Sequence, residues 1–212
     1  MNDAANELCL YGAALAAQGL ARAGSGNMSA RLADGRILIS PSGEGLGTLK
    51  PSELSVIKPD GMHVGGPKPS KEAPLHLAIY ASRPAAGAVV HLHTPYATAW
   101  SMVTEHDPAN CLPALTPYAI MRLGKVALLR FAVPGSTILG DWVRDHAVKH
   151  SAFLLANHGS VVSAKTLKDA VFAAEELEET ARLALLLKAI PHKVLGARDI
   201  EDIEASFGDR YR

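Results

Sequence analysis

A short apolar run that ends in two histidines is the feature that most constrains how this chain folds. Ala88-Val89-Val90 leads directly into His91-Leu92-His93, and Thr94-Pro95 follows. A β-branched apolar run of this length is typical of a buried strand, in which successive side chains alternate between the two faces. His91 and His93 therefore point the same way. The pattern predicts a sheet that presents two imidazoles where a buried strand ends.

Two imidazoles on one face can form half of a divalent metal site. His158 is a third candidate ligand, because Phe153-Leu154-Leu155-Ala156-Asn157-His158-Gly159 is again an apolar strand that ends in a glycine turn. The alternative is that these histidines are ordinary hydrogen-bonded core or surface residues, and the pair His91 and His93 alone does not decide between the two. The joint presence of His158 and the acidic Glu72 favours the metal site.

Length and composition limit the classes of protein to consider. The chain has 212 residues, of which 48% are hydrophobic, so we expect one domain over 1–212 with a substantial core. A net charge of zero provides no basic field for nucleic acid or for an anionic membrane. The N-terminus lacks a signal peptide pattern, and Cys9 and Cys111 are too few for a disulfide framework. We therefore expect a soluble, cytoplasmic protein.

Turn and cap residues predict the order of elements in the first half of the chain. Residues 3–20 have the pattern of an amphipathic helix, and Asp34-Gly35 and Asp60-Gly61 each predict an antiparallel hairpin. Pro74 suits the first turn of a helix that runs to about Arg83, before Pro84. Thr94 as N-cap and Pro95 predict another helix after the histidine strand.

The second half alternates short apolar strands with helices. Strands are expected near 126–131 and 151–155, a helix near 137–149, a last strand at Val161-Val162 and a long helix over about 167–189. Glutamates recur on that long helix, and their pattern is most simply a solvated face: Glu175, Glu176, Glu178 and Glu179.

Three further segments could bind an anion. Gly24-Ser25-Gly26-Asn27-Met28-Ser29 and Ser40-Pro41-Ser42-Gly43 are small-residue turns that can offer backbone N–H groups and hydroxyls, or be turns and nothing more. Lys68-Pro69-Ser70-Lys71-Glu72 places a hydroxyl, a cation and a carboxylate at a helix N-terminus, which favours an anionic substrate. The alternative is that Ser70 caps the helix while Lys71 and Glu72 are surface residues.

Together and in this order, the motifs resemble the class II aldolase/adducin superfamily over nearly the whole chain. The resemblance implies an α/β fold of three layers, with a central, mainly antiparallel β-sheet covered by helices, and a homotetramer with sites between subunits. It implies Zn²⁺, with Mn²⁺ or Co²⁺ as alternatives, and it assigns roles to nine residues. These are His91, His93 and His158 as metal ligands, Glu72 as acid/base, Tyr118 as a catalytic residue that reaches a neighbouring subunit, and Asn27, Ser42, Gly43 and Ser70 as phosphate-binding residues. Lys71 is a further candidate catalytic residue from its position before Glu72: it could hold the carboxylate or the phosphate of the substrate, and either Glu72 or Tyr118 could be the proton donor.

Lys71 departs from the aldolases of this family, which typically carry a second serine before the glutamate. With Thr116–Arg122 and Leu155–Gly159, it makes the chain look most like the decarboxylase branch. That branch converts a phosphorylated four-carbon 3-oxo sugar acid to dihydroxyacetone phosphate and carbon dioxide through an enediolate. The alternatives are a sugar-phosphate aldolase of the fuculose-phosphate type, a pentulose-phosphate 4-epimerase and a non-catalytic adducin-like interaction module. His76, one helical turn after Glu72, could orient that residue or be a core or interface histidine.

Overall fold

A single mixed sheet of eight strands forms the centre of the computed structural model, which describes residues 2–105 and 107–208. The strands are β1 (Asn27–Arg31), β2 (Ile37–Ile39), β3 (Ser55–Ile57), β4 (His63–Gly65), β5 (Ala88–Leu92), β6 (Val126–Leu129), β7 (Ala152–Leu155) and β8 (Gly159–Ala164). Their order across the sheet is β4-β3-β2-β1-β5-β8-β7-β6. Only the pair of β6 and β7 is parallel among these strands; the other neighbours are antiparallel.

Seven α-helices surround the sheet in the described part of the chain. They are α1 (Asn2–Ala17), α2 (Ala73–Ser82), α3 (Pro95–Trp100), α4 (Pro117–Leu123), α5 (Thr137–Ala147), α6 (Leu167–Leu187) and α7 (Ala197–Phe207), and two short 3-10 turns cover Leu46–Thr48 and Pro51–Glu53. Both predicted hairpins and five of the helices lie where the sequence indicates. The sequence reasoning missed α4 and α7.

Strand side chains alternate between two separate hydrophobic cores, one on each face of the sheet. On β7, for example, Leu154 packs into the core beneath α1, α3, α4 and α6, whereas Phe153 packs into the core beneath α2 and α5. On β5, Val90 and Val89 divide in the same way. The result is a sheet between two helical layers, mainly antiparallel, which confirms the predicted fold class. The extension of this unit as one domain over 1–212 stays a prediction.

The same alternation of side chains along each strand determines which face of the sheet the polar side chains occupy. Every residue of β5 is buried, and its register sets Asn27 of β1 and Val161 of β8 on either side of His91. Because Val89 faces α2 and α5, His91 faces them too. Met28 belongs to the opposite core, so Asn27 and Ser29 also face α2. The sheet therefore brings the polar side chains of β1 and β5 against one face of α2.

Glu178 corrects the prediction that the glutamates of α6 form a solvated face. Its side chain is 7% exposed, and its two carboxylate oxygens accept hydrogen bonds from the backbone N–H groups of Tyr96 at 2.9 Å and Ala97 at 2.7 Å. Thr94 precedes α3 as predicted, but its side chain makes no capping bond. Glu178 takes that role from a distant helix, and its negative charge at an N-terminus is favourable.

None of the helices in residues 2–105 and 107–208 combines the length and the apolar character needed to cross a bilayer.

We expect Glu178→Ala to lower the free energy of unfolding by about 2 kcal/mol, because it removes a charged acceptor from two buried N–H groups. Urea denaturation at fixed protein concentration measures the change. Glu179→Ala is the matched control: Glu179 is exposed and its ion pair with Arg182 lies at the surface, so the loss should stay below about 1 kcal/mol. Equal losses in the two variants would contradict the capping role.

Candidate metal centre

His91 is held in the tautomer that leaves one nitrogen for a ligand. It is fully buried in β5, and its Nδ1 lies 2.8 Å from the carbonyl oxygen of Ser160 on the paired strand β8. A carbonyl only accepts, so Nδ1 carries the hydrogen and donates it. In the neutral ring, Nε2 then keeps its lone pair. A backbone carbonyl behind a ligating histidine is a common way to fix its orientation.

His158 reaches the same point from a strained turn between β7 and β8. The preceding Asn157 adopts a φ of 57°, in the left-handed region. At the next position, a Cβ on Gly159 would lie 2.2 Å from the carbonyl oxygen of Leu92, so only glycine lets this turn pack against β5. The hydroxyl of Ser101, at the end of α3, accepts the N–H of Asn157 at 3.1 Å.

Three imidazoles and one carboxylate converge between these elements. The Nε2 atoms of His91 and His93 are 2.9 Å apart, as predicted for neighbours on one face. Glu72, at the N-terminus of α2, places Oε2 at 3.2 Å from Nε2 of His91 and Oε1 at 3.4 Å from Nε2 of His158. One ligand atom from each of these four residues lies within 4.8 Å of the others. The sequence indicated Glu72 as an acid/base group; the geometry also gives it the position of a fourth ligand.

The donor set fits a divalent transition metal. Nε2 of His158 and Oε1 of Glu72 are buried and have no hydrogen-bond partner among the described residues. Leaving such atoms unpaired costs free energy unless something binds them. Imidazole nitrogens with a carboxylate are the ligands that zinc and its neighbours in the first transition row accept in catalytic sites. Of the residues that the structure describes, only this group has the spacing of a metal site.

The electrostatics of the cluster favour neutral imidazoles beside a charged carboxylate. Burial, with a contribution from His91, lowers the pKa of both His93 and His158 to about 4. Burial alone would raise the pKa of Glu72, but His91, Asn27 and His158 together hold it below its ordinary value. Near pH 7, His93 and His158 thus offer lone pairs beside the negative charge of Glu72, and neutral imidazoles with a carboxylate are the protonation states that bind a cation.

The carboxylate of Glu72 is held in place by Asn27, to which the resemblance gives another role. Asn27, expected to bind phosphate, donates from Nδ2 to Oε2 of Glu72 at 2.8 Å, and its Oδ1 lies 2.5 Å from Nε2 of His76. Asn27 is 4% exposed, so both ends of its amide are used inside the protein. The side chain of His76 is thus connected to the carboxylate of Glu72 through the amide of Asn27, and its backbone N–H lies 3.4 Å from the carbonyl oxygen of Glu72. The sequence left the role of His76 open.

The other predicted phosphate-binding residues lie on adjoining segments. An isolated bridge pairs Pro41 with Pro69, and the N–H of Ser70 donates to the carbonyl of Ser40 at 3.1 Å. This pairing sets the exposed Ser42 and Gly43 beside the loop that leads to Glu72. The hydroxyl of Ser70 accepts the N–H of Glu72 at 3.2 Å. Because Glu72 itself is the N-cap of α2 and has no side-chain capping bond, this contact lies in the preceding turn and is not the helix cap considered from the sequence.

Lys71 and Tyr118 lie in different surroundings. Lys71 is exposed, and after burial and His91 its positive charge is among the influences that lower the pKa of His93 and His158. The charge of Lys71 therefore acts on the imidazole cluster. Tyr118 is 58% exposed on α4, whose buried residues pack into the core on the side opposite α2. α2, whose N-terminus carries Glu72, packs against the other face of the sheet.

Comparisons with known proteins agree with this geometry. The family described as the class II aldolase and adducin N-terminal domain matches residues 6–185. The 3-oxo-tetronate 4-phosphate decarboxylase of Haemophilus influenzae is 44% identical over 85% of this chain and 86% of its own length. The enzyme of the same name from Escherichia coli K12 is 41% identical over 89% of both chains.

Solved structures give the same result for the fold. The YgbL protein of Klebsiella pneumoniae superposes with a TM-score of 0.93 at 40% identity, covering 95% of this chain and 97% of that one. An L-fuculose 1-phosphate aldolase superposes with a TM-score of 0.87 at 30% identity, covering 98% and 97%.

We expect His93→Ala to reduce bound metal from about one ion per chain to below about 0.1 after dialysis and reloading with Zn²⁺, since a three-nitrogen site loses a ligand. Elemental analysis measures the metal, and circular dichroism checks the fold. His93 is only partly buried, so its removal should leave the core intact. His63→Ala, on the exposed strand β4, is the control and should keep its metal. Undiminished metal in His93→Ala would rule out the proposed ligand set.

Proposed function

This chain belongs to the class II aldolase and adducin family, and we propose that it is a metal-dependent decarboxylase of a 3-oxo-tetronate 4-phosphate. The observation that carries the proposal is a pair of buried polar atoms in the site. Nε2 of His158 and Oε1 of Glu72 lie 3.4 Å from each other and have no hydrogen-bond partner among residues 2–105 and 107–208. Lys71, which is exposed, directly precedes Glu72. The identity of 44% and 41% to enzymes of that name supports the substrate class.

The reaction explains why these groups are needed together. When the bond between C1 and C2 breaks, carbon dioxide leaves and an electron pair remains at C2, next to the C3 carbonyl. A divalent metal in the site would act as a Lewis acid on the substrate oxygens. C2 must then receive one proton to give dihydroxyacetone phosphate. We propose His91, His93 and His158 as ligands for that metal, with Zn²⁺ as the resident ion and Mn²⁺ or Co²⁺ as alternatives.

We assign the remaining roles from position. Glu72 can carry the proton on Oε1, because that oxygen has no hydrogen-bond partner among the described residues while Oε2 is hydrogen-bonded to Asn27. Ser42, Gly43 and Ser70 line the small-residue rim where a phosphate can accept N–H and O–H donors. We propose that Asn27 acts on this part of the site only through its hydrogen bond to Glu72. Lys71 stabilises the negative charge of the substrate carboxylate or phosphate.

An aldolase of the fuculose-phosphate type is the rival with a specific observation in its favour, since such an enzyme shares the fold at 30% identity. It would break a bond to an aldehyde rather than to carbon dioxide. The pair Lys71-Glu72 favours decarboxylation, because a cation at a helix N-terminus is unfavourable unless an anion lies beside it. A carboxylate on the substrate supplies that anion. A cytoplasmic location stays a further part of this proposal.

We expect Lys71→Ser to lower the rate of carbon dioxide release from 3-oxo-tetronate 4-phosphate by a factor of about 10² while bound metal is unchanged, because the ammonium stabilises charge that moves in the transition state. Trapping of released carbon dioxide measures the rate. Lys58→Ser, on the hairpin of β3 and β4, is a matched exposed control and should retain its rate. If Lys71→Ser is as fast as the parent, or if the parent cleaves ketose 1-phosphates to an aldehyde, the decarboxylase proposal is wrong.

We also propose a homotetramer in which Tyr118 of one subunit completes the site of the next. Tyr118 is exposed, and its helix α4 packs on the face of the sheet opposite α2, which supports a role across an interface rather than in its own chain's site. Light scattering should give about four times the mass of one chain.

A subunit-mixing experiment tests the shared site directly. We expect Tyr118→Phe and His93→Ala each to be inactive or nearly so, and we expect activity to return when the two are mixed after reversible dissociation. Mixed tetramers then contain sites with an intact His93 and a Tyr118 donated by the neighbour. Absence of any recovery, with mixed tetramers shown to form, would place Tyr118 outside the neighbour's site.

A further inference from the structure

A line of buried polar side chains extends from Glu72 between α2 and β1. Glu72 at the N-cap of α2, and His76 and Tyr80 on the helix, are spaced four residues apart, so they lie above one another on one face. Asn27 and Ser29 are two residues apart on β1 and share one face of the strand. Because this face of β1 packs against α2, the side chains of the strand and of the helix contact one another. The five side chains are buried, with exposures between 0% and 5%.

Each contact in this line has one possible direction. Oδ1 of Asn27 is an acceptor, so Nε2 of His76 must donate to it across 2.5 Å. The neutral ring then has a lone pair on Nδ1, which accepts from the hydroxyl of Ser29 at 2.7 Å. The oxygen of Ser29 in turn lies 2.8 Å from the hydroxyl of Tyr80, which donates to it. Burial lowers the pKa of His76 to about 3 and raises the pKa of Tyr80 above its usual range, so both groups are neutral near pH 7.

The line ends on one chosen oxygen of Glu72. With Oδ1 of Asn27 committed to His76, Nδ2 faces Glu72 and donates to Oε2 at 2.8 Å. If the amide turned over, its oxygen would face the negative carboxylate, which is unfavourable in a buried site. Oε1 is left without a hydrogen-bond partner in the described part of the chain and lies 3.4 Å from Nε2 of His158. The two oxygens of Glu72 are therefore not equivalent.

We propose that His76 is a positioning residue which, as the Nε2–H tautomer, fixes the amide of Asn27 and so reserves Oε1 of Glu72 for the chemistry of the site. At the other end of the line, the hydrogen bonds from Tyr80 to Ser29 and from Ser29 to Nδ1 of His76 fix this tautomer. The inference rests on the proposed function only for its kinetic test. The alternative is that His76 is a buried histidine that contributes only to stability. The two hypotheses differ in the tautomer that they require and in the effect expected of the His76→Gln substitution.

The first test needs no substrate and no metal. Two-dimensional ¹H–¹⁵N spectra of the histidine rings in the metal-free protein distinguish the tautomers, and comparison with His76→Gln assigns the His76 signals. We expect Nε2 to be protonated and Nδ1 to be unprotonated at pH 7. A ring protonated on Nδ1, or on both nitrogens, would overturn the proposal, because Nδ1 could then not accept from Ser29.

The second test separates positioning from stability. At saturating metal, we expect His76→Leu to lower kcat by about 10-fold to 100-fold, with KM changed less than about threefold, because substrate contacts remain while Glu72 loses its fixed orientation. His76→Gln can still donate to Asn27 and accept from Ser29, so it should recover kcat to within about threefold of the parent. His150→Leu removes a buried histidine that is outside the centre and serves as the stability control.

The outcomes are distinct. A parental kcat in His76→Leu, or a glutamine variant as slow as the leucine variant, overturns the proposal, as does an equal loss of kcat in His150→Leu. If His76→Leu does not fold, the tautomer and the glutamine variant still decide. If the parent releases no carbon dioxide from 3-oxo-tetronate 4-phosphate, the proposed function fails, whereas the tautomer measurement continues to test the hydrogen-bonded line on its own.

Discussion

The burial of a histidine near the end of strand β5 is the constraint on which the rest of the site depends. His91 is fully buried between two paired strands, and a polar ring in that position must have partners for both nitrogens. β8 satisfies Nδ1 through the carbonyl of Ser160. Nε2 is left facing α2, where Glu72 and two further imidazoles meet it. His91 therefore has partners for both ring nitrogens only when these other elements pack against β5. The same contacts thus determine the fold and the site.

Each of those elements is held by a contact that is distant in sequence. Glu178 on α6 accepts the first free N–H groups of α3, the helix that starts directly after His93 and Thr94. Ser101, at the other end of α3, then receives the N–H of Asn157 in the turn that carries His158. The side chains that would bind metal are therefore connected through a short helix whose N-terminus is anchored by a carboxylate some 80 residues later, with sequence separations of 81 and 82. Rigid support of this kind is what a catalytic geometry requires.

Sequence reasoning succeeded where the signal is local. Asp34-Gly35 and Asp60-Gly61 determine their hairpins through turn conformation, and Pro74 and Pro95 determine where α2 and α3 begin, because these effects act within a few residues. It failed where a residue's partner lies far away. Glu178 has the pattern of a solvated glutamate and is buried, since nothing near it in the chain reveals the N-terminus of α3. The histidines and Glu72 were found as candidates, but the occupied amide of Asn27 depends on the packing of β1 against α2. One signal was available: the spacing of Glu72, His76 and Tyr80 puts three polar groups on one helix face, where an amphipathic helix would bury apolar ones.

The polar atoms of the centre divide into two kinds, and the division indicates where chemistry takes place. Nδ1 of His91 and Oε2 of Glu72 are bound by protein groups behind the site, at 2.8 Å in each case. Nε2 of His158 and Oε1 of Glu72 are buried without a hydrogen-bond partner among the described residues and lie 3.4 Å from each other, and the charge of Lys71 acts on His158. A protein that used these residues only for stability would gain by pairing the second kind as well as the first. Because the protein leaves these atoms without hydrogen bonds, their unfavourable free energy indicates a site that a metal and an anionic substrate would complete.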